Sequence, residues 1–395
     1  MDQEQVFKLP DMLKQRERIL VVGVGGGGGN ALNHIISSGV EGVEFLAANT
    51  DSKALSLNRA PHKIVLGEKL TRGLGAGADP QVGTDAAKES IDRIREQVNG
   101  ADMVFVTAGM GGGTGTGAAP IIAEVAKDVG SLVVGVVTTP FSFEMKKRSV
   151  VAQEGISKLK EKVDALLIVE NDKLLSEGDK QVKIMDAYKM ANEVLRQAVQ
   201  GVTDLILKPG IINVDFADVR TVMKNAGTAI MGIGEGEGDN RAELAAKAAI
   251  RSPLMSMPLK GAKGILMNIE AGPDVSLHEM SQAANIINET ADDNAQVIWG
   301  HTIGDDIGSK MRITVIATGF SEQAAVRDRI PSVSSHSSQH AAQYPILDRT
   351  IKTVGIRAFS LDERDLQASE DNDMFSGVPK NTYDSPTYLR RQQRK

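Results

Sequence analysis

Three glycine-rich runs hold the residue types best suited to grip a phosphate: Gly25-Gly26-Gly27-Gly28-Gly29, Arg72-Gly73-Leu74-Gly75-Ala76-Gly77-Ala78 and Gly111-Gly112-Gly113-Thr114-Gly115-Thr116-Gly117. Glycine lets backbone N–H groups approach an anion unobstructed, and a helix that starts at such a run adds partial positive charge. The hydroxyls of Thr114 and Thr116 supply further donors to phosphate oxygens. Three such loops predict a triphosphate wrapped from several sides. Taken alone, Gly23 to Gly28 also fits the GxGxxG spacing of a dinucleotide fold, with Asn49 and Asp51 where a dehydrogenase holds its ribose-binding acid. That alternative stays open at this point. The chain has no G-x-x-x-x-G-K-[ST] sequence, so it is not a P-loop NTPase.

A second set of chemical groups is acidic. Asn213, Asp215 and Asp218 follow Pro209-Gly210 and precede a helical run from Val219 to Lys224, where Asp215 suits a helix N-cap with Asp218 three residues on. Capping does not exclude catalysis. Glu144 and Arg148 read as a charged helix start, and Tyr188 as helix core. No cysteine is present, which removes disulfides, thiolate metal sites and Cys nucleophiles and predicts a cytoplasmic protein. A formal charge of −6 argues against a general nucleic-acid binder. No apolar run approaches the length of a membrane span, so any membrane association would be indirect.

The elements that must position these groups follow from periodicity. Apolar runs Ile19–Val24, Val43–Ala48, Met103–Ala108, Leu132–Val137 and Ala165–Val169 alternate with amphipathic stretches, the pattern of a parallel sheet covered by helices. The glycine runs fall at the carboxyl ends of these strands, where open parallel sheets bind ligands. Apolar residues from Val182 to Val202 recur at helical spacing and predict one long helix. Strands Ala229–Ile233, Gly264–Glu270, Gln296–Gly300 and Arg312–Ala317, with helices Arg241–Ile250 and Ser276–Ala291, make a smaller mixed α/β unit. The predicted division is an N-terminal extension (1–17), a nucleotide domain (18–181), a central helix (182–208), a second domain (209–320), a disordered serine-rich linker (321–380) and a terminal peptide (381–395). A flexible linker of that length has a mean reach of about 40 to 45 Å.

Gly25 to Asn30 (GGGGGN), Gly111 to Gly117 (GGGTGTG) and Asn213 to Asp218 (NVDFAD) together closely resemble the FtsZ family, the tubulin-like GTPases of bacterial cell division. The resemblance runs from about Arg18 to Phe320 and resumes at the C-terminal peptide. It implies a tubulin/FtsZ-like α/β fold and a GTPase that polymerises head to tail into the filaments of the division ring, beneath the inner membrane. By resemblance, Gly26, Gly27, Gly28, Gly29 and Asn30, with the run Gly111, Gly112, Gly113, Thr114, Gly115, Thr116 and Gly117, hold GTP or GDP, Asn30 lying near the base. Glu144 and Arg148 match positions that contact ribose and phosphate. Asn171 and Tyr188 would flank the guanine. Glu193 departs from the pattern: it stands where the family usually has an Asp that reads the guanine N1 and N2 donors. Asn213, Asp215 and Asp218 would reach the GTP of the next subunit and orient the attacking water, with Mg²⁺ compensating phosphate charge.

The segment Asp384–Gln392 looks like the family's tail peptide, which docks on membrane-tethering proteins such as the actin-like FtsA. Two other readings remain: an NAD-dependent oxidoreductase, against which the second and third glycine runs argue, and a tubulin-like protein that binds GTP without hydrolysing it, against which Asp215 and Asp218 argue.

Overall fold

The computed structural model describes residues 17–175, 182–208, 210–304 and 307–320. The β-branched apolar runs form β1 (Ile19–Val24), β2 (Val43–Asn49), β3 (His62–Val65), β4 (Met103–Gly109), β5 (Leu132–Thr139) and β6 (Ala165–Glu170). All six are parallel, in the order β3-β2-β1-β4-β5-β6. Parallel strands need crossovers. These are α1 (Gly25–Ser37), α2 (Ser52–Ser56), α3 (Glu68–Thr71), α4 (Pro80–Glu89), α5 (Ile91–Val98), α6 (Thr114–Asp128) and α7 (Lys146–Lys160).

Helices on both faces explain why β1 is buried along its whole length. Ile19 and Val21 point to one face and pack with Leu32 and Ile35 of α1; Leu20 and Val22 point to the other and pack with Ile94 of α5, Ile122 of α6 and Ile156 of α7.

The predicted long helix is α8 (Ile184–Leu207), 24 residues or about 36 Å. It ends at Leu207, within the expected span 182–208, because Leu205, Ile206 and Leu207 continue its apolar pattern. Val194, Leu195, Ala198 and Val202 pack between Val136 and Leu167 on one side and Leu266 and Ile316 on the other, so one core spans both parts of the chain. The helix begins at the carboxyl ends of the strands, where Tyr188 meets Phe141 just beyond β5. It ends at their amino ends, where Leu207 lies against Gly42 just ahead of β2.

After α9 (Phe216–Met223), β7 (Gly227–Gly236) pairs parallel to β6 over Ala165–Leu167 and then carries on beside β10 (Met311–Thr318). β8 (Gly264–Ala271) pairs antiparallel to β10, and β9 (Gln296–Ile303) parallel to β8. The mixed sheet read from the sequence is therefore joined through β7 into one ten-stranded sheet. α10 (Arg241–Ile250) and α11 (Leu277–Thr290) cover its distal part with Ala245, Ala249, Ala283 and Ile287 against Ile265, Met267, Ile313 and Val315.

A buried aspartate braces the junction. Asp164 accepts from Val133 N (2.9 Å) and pairs with Lys127 Nζ (3.2 Å), while its carbonyl accepts from Gly227 N at the start of β7. The expected linker 321–380, the peptide 381–395 with its segment Asp384–Gln392, and residues 1–16 of the expected extension lie outside the described residues.

Candidate functional site

The first and second glycine runs meet because β1 and β4 are in register, which makes Val24 and Ala108 neighbours. Both runs belong to helices: α1 starts at Gly25 and α6 at Thr114. Helix α6 thus starts inside the second run, and Pro120 sits within it. Glycine's poor helix propensity hides such starts.

Close packing accounts for many of these glycines. A Cβ on Gly25 would lie 2.8 Å from the Gly115 amide nitrogen, and one on Gly115 would lie 2.8 Å from the Gly109 carbonyl oxygen. Side chains on Gly28 and Gly117 would collide with the carbonyls of Thr107 and Pro80. Gly26 and Gly112 differ, since a Cβ on either would meet nothing within 4 Å. They mark the open side of the cradle. Neither α1 nor α6 has a side-chain cap, so their first-turn N–H groups suit an anion. The third run joins through Gly75, whose N donates to Thr50 O (3.1 Å), and through Ala76 beside Gly113. Beside the first run, between α1, the end of β2 and α2, a cleft of about 330 Å³ opens, lined by Gly26, Gly29, Asn30, Asn33, Asn49 and Leu57 among others.

The two threonines do different things. Thr114 Oγ1 lies 2.6 Å from the hydroxyl of Thr50, a fully buried residue that the sequence reading passed over. Thr116 was expected to donate to phosphate. In the structure its buried Oγ1 accepts from Gly111 N (2.9 Å) and so helps hold the turn in which Gly111 adopts φ +93°.

A second group of expected residues gathers at the loop after β5 and the start of α8. Tyr188 packs edge-on against Phe141 and Phe143, at 5.4 and 6.5 Å, and those two rings stack at 5.2 Å. Burial and the adjacent Glu144 carboxylate push the Tyr188 hydroxyl up. Glu144 accepts from Phe141 N (3.1 Å) and pairs with Arg148 (2.8 Å), a clamp in which the Glu144 carboxylate is buried and the Arg148 side chain stays half exposed. A Cβ on Gly111 would lie 2.8 Å from Arg148 Cγ, which ties this clamp to the glycine turn. Asn171 is buried at the carboxyl end of β6, and its Oδ1 has no hydrogen-bond partner. A buried acceptor left unpaired in this way suits a ligand donor.

Glu193 faces α1 across the start of α8. It bonds His34 Nε2 (2.9 Å) and takes a two-point contact from Arg196, at 2.9 and 2.5 Å. Burial pushes its carboxyl up, but Arg196 and His34 more than offset this and hold it below the ordinary range. His34 and Arg196 were not singled out in the sequence; His34 falls one helical turn beyond Asn30, on the same face of α1.

The third group lies elsewhere. Asp215 caps α9 by accepting from Asp218 N (2.8 Å), and Asn213 Oδ1 accepts from Gly210 N (2.7 Å). Helix α9 starts at Phe216, directly after Asp215, in agreement with the N-cap reading of that residue. Asn213, Asp215 and Asp218 are exposed, and Arg220 of the helix that Asp215 caps bonds Gly130 O just ahead of β5, which sets that helix at the amino ends of the six parallel strands; Ile212 bridges to His301 of β9. From Tyr188 to Leu207 the rise of α8 is about 28 Å. The acids and the glycine turns therefore occupy opposite ends of the molecule.

Residues 18–179 match the family model described as Tubulin/FtsZ family, GTPase domain, and residues 227–321 match FtsZ family, C-terminal domain. The fold is similar to that of an empty FtsZ dimer from M. jannaschii, with 43% identity, 78% of this chain and 90% of that chain covered, and a TM-score of 0.74. A mutant of M. jannaschii FtsZ matches at 42% identity, covering 78% and 93%, with a TM-score of 0.75. At 21% identity, CetZ2 from Haloferax volcanii shares the fold, covering 79% and 96% with a TM-score of 0.67. A parallel sheet with glycine turns, a long central helix and a mixed second part thus belong to one known architecture, and the chain is a GTPase of the FtsZ family.

Proposed function

We propose that this GTPase assembles head to tail into filaments and hydrolyses GTP at the contact between two subunits. The observation that carries the reading is the placement of Asn213, Asp215 and Asp218 at the far end of α8 from the glycine turns. A chain so built holds half a site at each end. Stacking one copy on the next would bring the acids of one subunit over the nucleotide of another, and the similar M. jannaschii FtsZ structure is a dimer.

Within one subunit, Gly26 to Gly29 and the turn Gly111–Gly115 would hold the phosphates. Glu144 and Arg148 would hold the ribose side, and Asn30, Asn171, Tyr188 and Glu193 the guanine. The neighbour's Asp215 and Asp218 would orient the attacking water, so catalysis is positioning plus electrostatic stabilisation. Among the described residues no group of three or more His, Asp or Glu side chains converges on a metal position. Mg²⁺ therefore suits the site as the nucleotide's companion, bound by phosphate oxygens and water and offsetting their charge. Such filaments would form the division ring in the cytoplasm, anchored through Asp384–Gln392 to a membrane tether such as the actin-like FtsA. No helix among the described residues is long and apolar enough to cross a membrane itself.

The test is Asp218→Ala. Turnover should fall by about 10²-fold or more, a loss typical of removing a group that acts on the transition state, while GTP binding and light scattering from assembly persist. Unchanged turnover per subunit would refute the assignment.

A further inference from the structure

The base end of the site is already ligated by the protein's own side chains. A carboxylate offers about four acceptor positions. Three on Glu193 are taken: one by His34 Nε2 at 2.9 Å and two by Arg196, at 2.9 and 2.5 Å. The guanine edge presents two donors, N1–H and the 2-amino group. On the reading that Glu193 receives this edge, one position is free and two are needed, so a protein donor must leave.

The two donors are not equally held. Arg196 sits on the same helix as Glu193, grips it through two nitrogens and is itself anchored by Gln200. Its charged two-point contact is the stronger kind. His34 makes a single bond from a different helix, and the side chains of His34 and Glu193 are 32% and 38% exposed, open enough for a ligand to reach. We propose that His34 is a built-in competitor of the base, a specificity-determining residue that guanine displaces from Glu193 and that weakens the protein's preference for a 2-amino purine.

Inosine triphosphate separates this from a bracing role. Hypoxanthine offers N1–H but no 2-amino group, so it needs only the position already free and leaves His34 in place. Dissociation constants for GTP and ITP would be measured by displacement of a fluorescent GTP analogue, at protein concentrations below assembly, for the native chain and for His34→Ala, His34→Phe and Glu193→Gln. His34→Phe keeps a ring against α8 and removes the donor, which guards against a fold defect in the alanine variant. Both His34 variants should bind GTP about three- to tenfold more tightly, the worth of one hydrogen bond, with ITP unchanged. The GTP-to-ITP preference then rises by the same factor. An unchanged preference, or weaker GTP binding in both variants, would overturn the proposal. Glu193→Gln tests the underlying reading separately: it should lower GTP affinity, and equal GTP and ITP affinities to those of the native chain would remove Glu193 from the base site altogether.

Discussion

Thr116 shows how a residue inside a glycine signature shapes the turn that carries it. Its hydroxyl satisfies the amide of Gly111 in a buried turn, and an amide left unpaired there would cost about 1 to 3 kcal/mol. Thr116→Val keeps the shape and removes the acceptor; GTP affinity should fall about tenfold, while Thr116→Ser should bind as the native chain does, both read by equilibrium titration. At the base end, Glu193 is ionised and accepts only, whereas adenine presents an acceptor at N1. GTP should therefore be preferred over ATP, with the mismatch worth about 1 to 3 kcal/mol, and equal turnover of the two nucleotides would contradict that. Residue types and spacing made the glycines, Asp215 and Asp218 visible in the sequence. The partners were not: Thr50 lies 64 positions from Thr114 and Glu193 lies 159 from His34, and only folding brings them together.

Among the elements, β1, β2, β4, β5, β6 and α8 were legible because each buries a continuous apolar pattern, β1 on both faces and α8 between the two parts of the sheet; β3 was not, since half of its four residues are polar and exposed. Starts of α1 and α6 were not, since their first turns are glycine and threonine, which carry no amphipathic signal. The joining of the two sheets was also hidden: it rests on a short parallel pairing of β6 with β7 and on the Asp164 brace. Asp164→Ala would leave Val133 N and Lys127 without their partner, and the unfolding free energy should drop by about 2 to 4 kcal/mol in denaturant titration. In the distal sheet, Glu279 completes the capping box of α11 with Ser276 and pairs with Arg241 at 2.6 Å. The Arg241 contact, against the opposing effect of burial, lowers its pKa to about 2. A depressed carboxyl stabilises the fold fully above its unfolded pKa of about 4.3 and loses that contribution as pH falls toward the folded value. Glu279→Gln should thus be less stable than the native chain at neutral pH and converge with it near pH 2.

At the scale of the whole molecule, the proposed reaction draws its two halves from opposite ends of α8. The end near Tyr188 holds the glycine turns and the aromatic cluster; the end near Leu207 holds Asn213, Asp215 and Asp218. Ile211 beside those acids is 67% exposed, and Leu74 beside the glycine turns is 84% exposed. Large apolar side chains so placed at both ends favour contact with a second copy. If the halves combine only between copies, hydrolysis depends on assembly rather than on the amount of folded protein. Phosphate release from GTP, followed against protein concentration with light scattering in parallel, tests this most directly. The expected result is negligible release below a threshold concentration and a proportional rise above it, with scattering appearing at the same threshold. A rate per subunit that stays constant across the whole range, with no dependence on assembly, would contradict it.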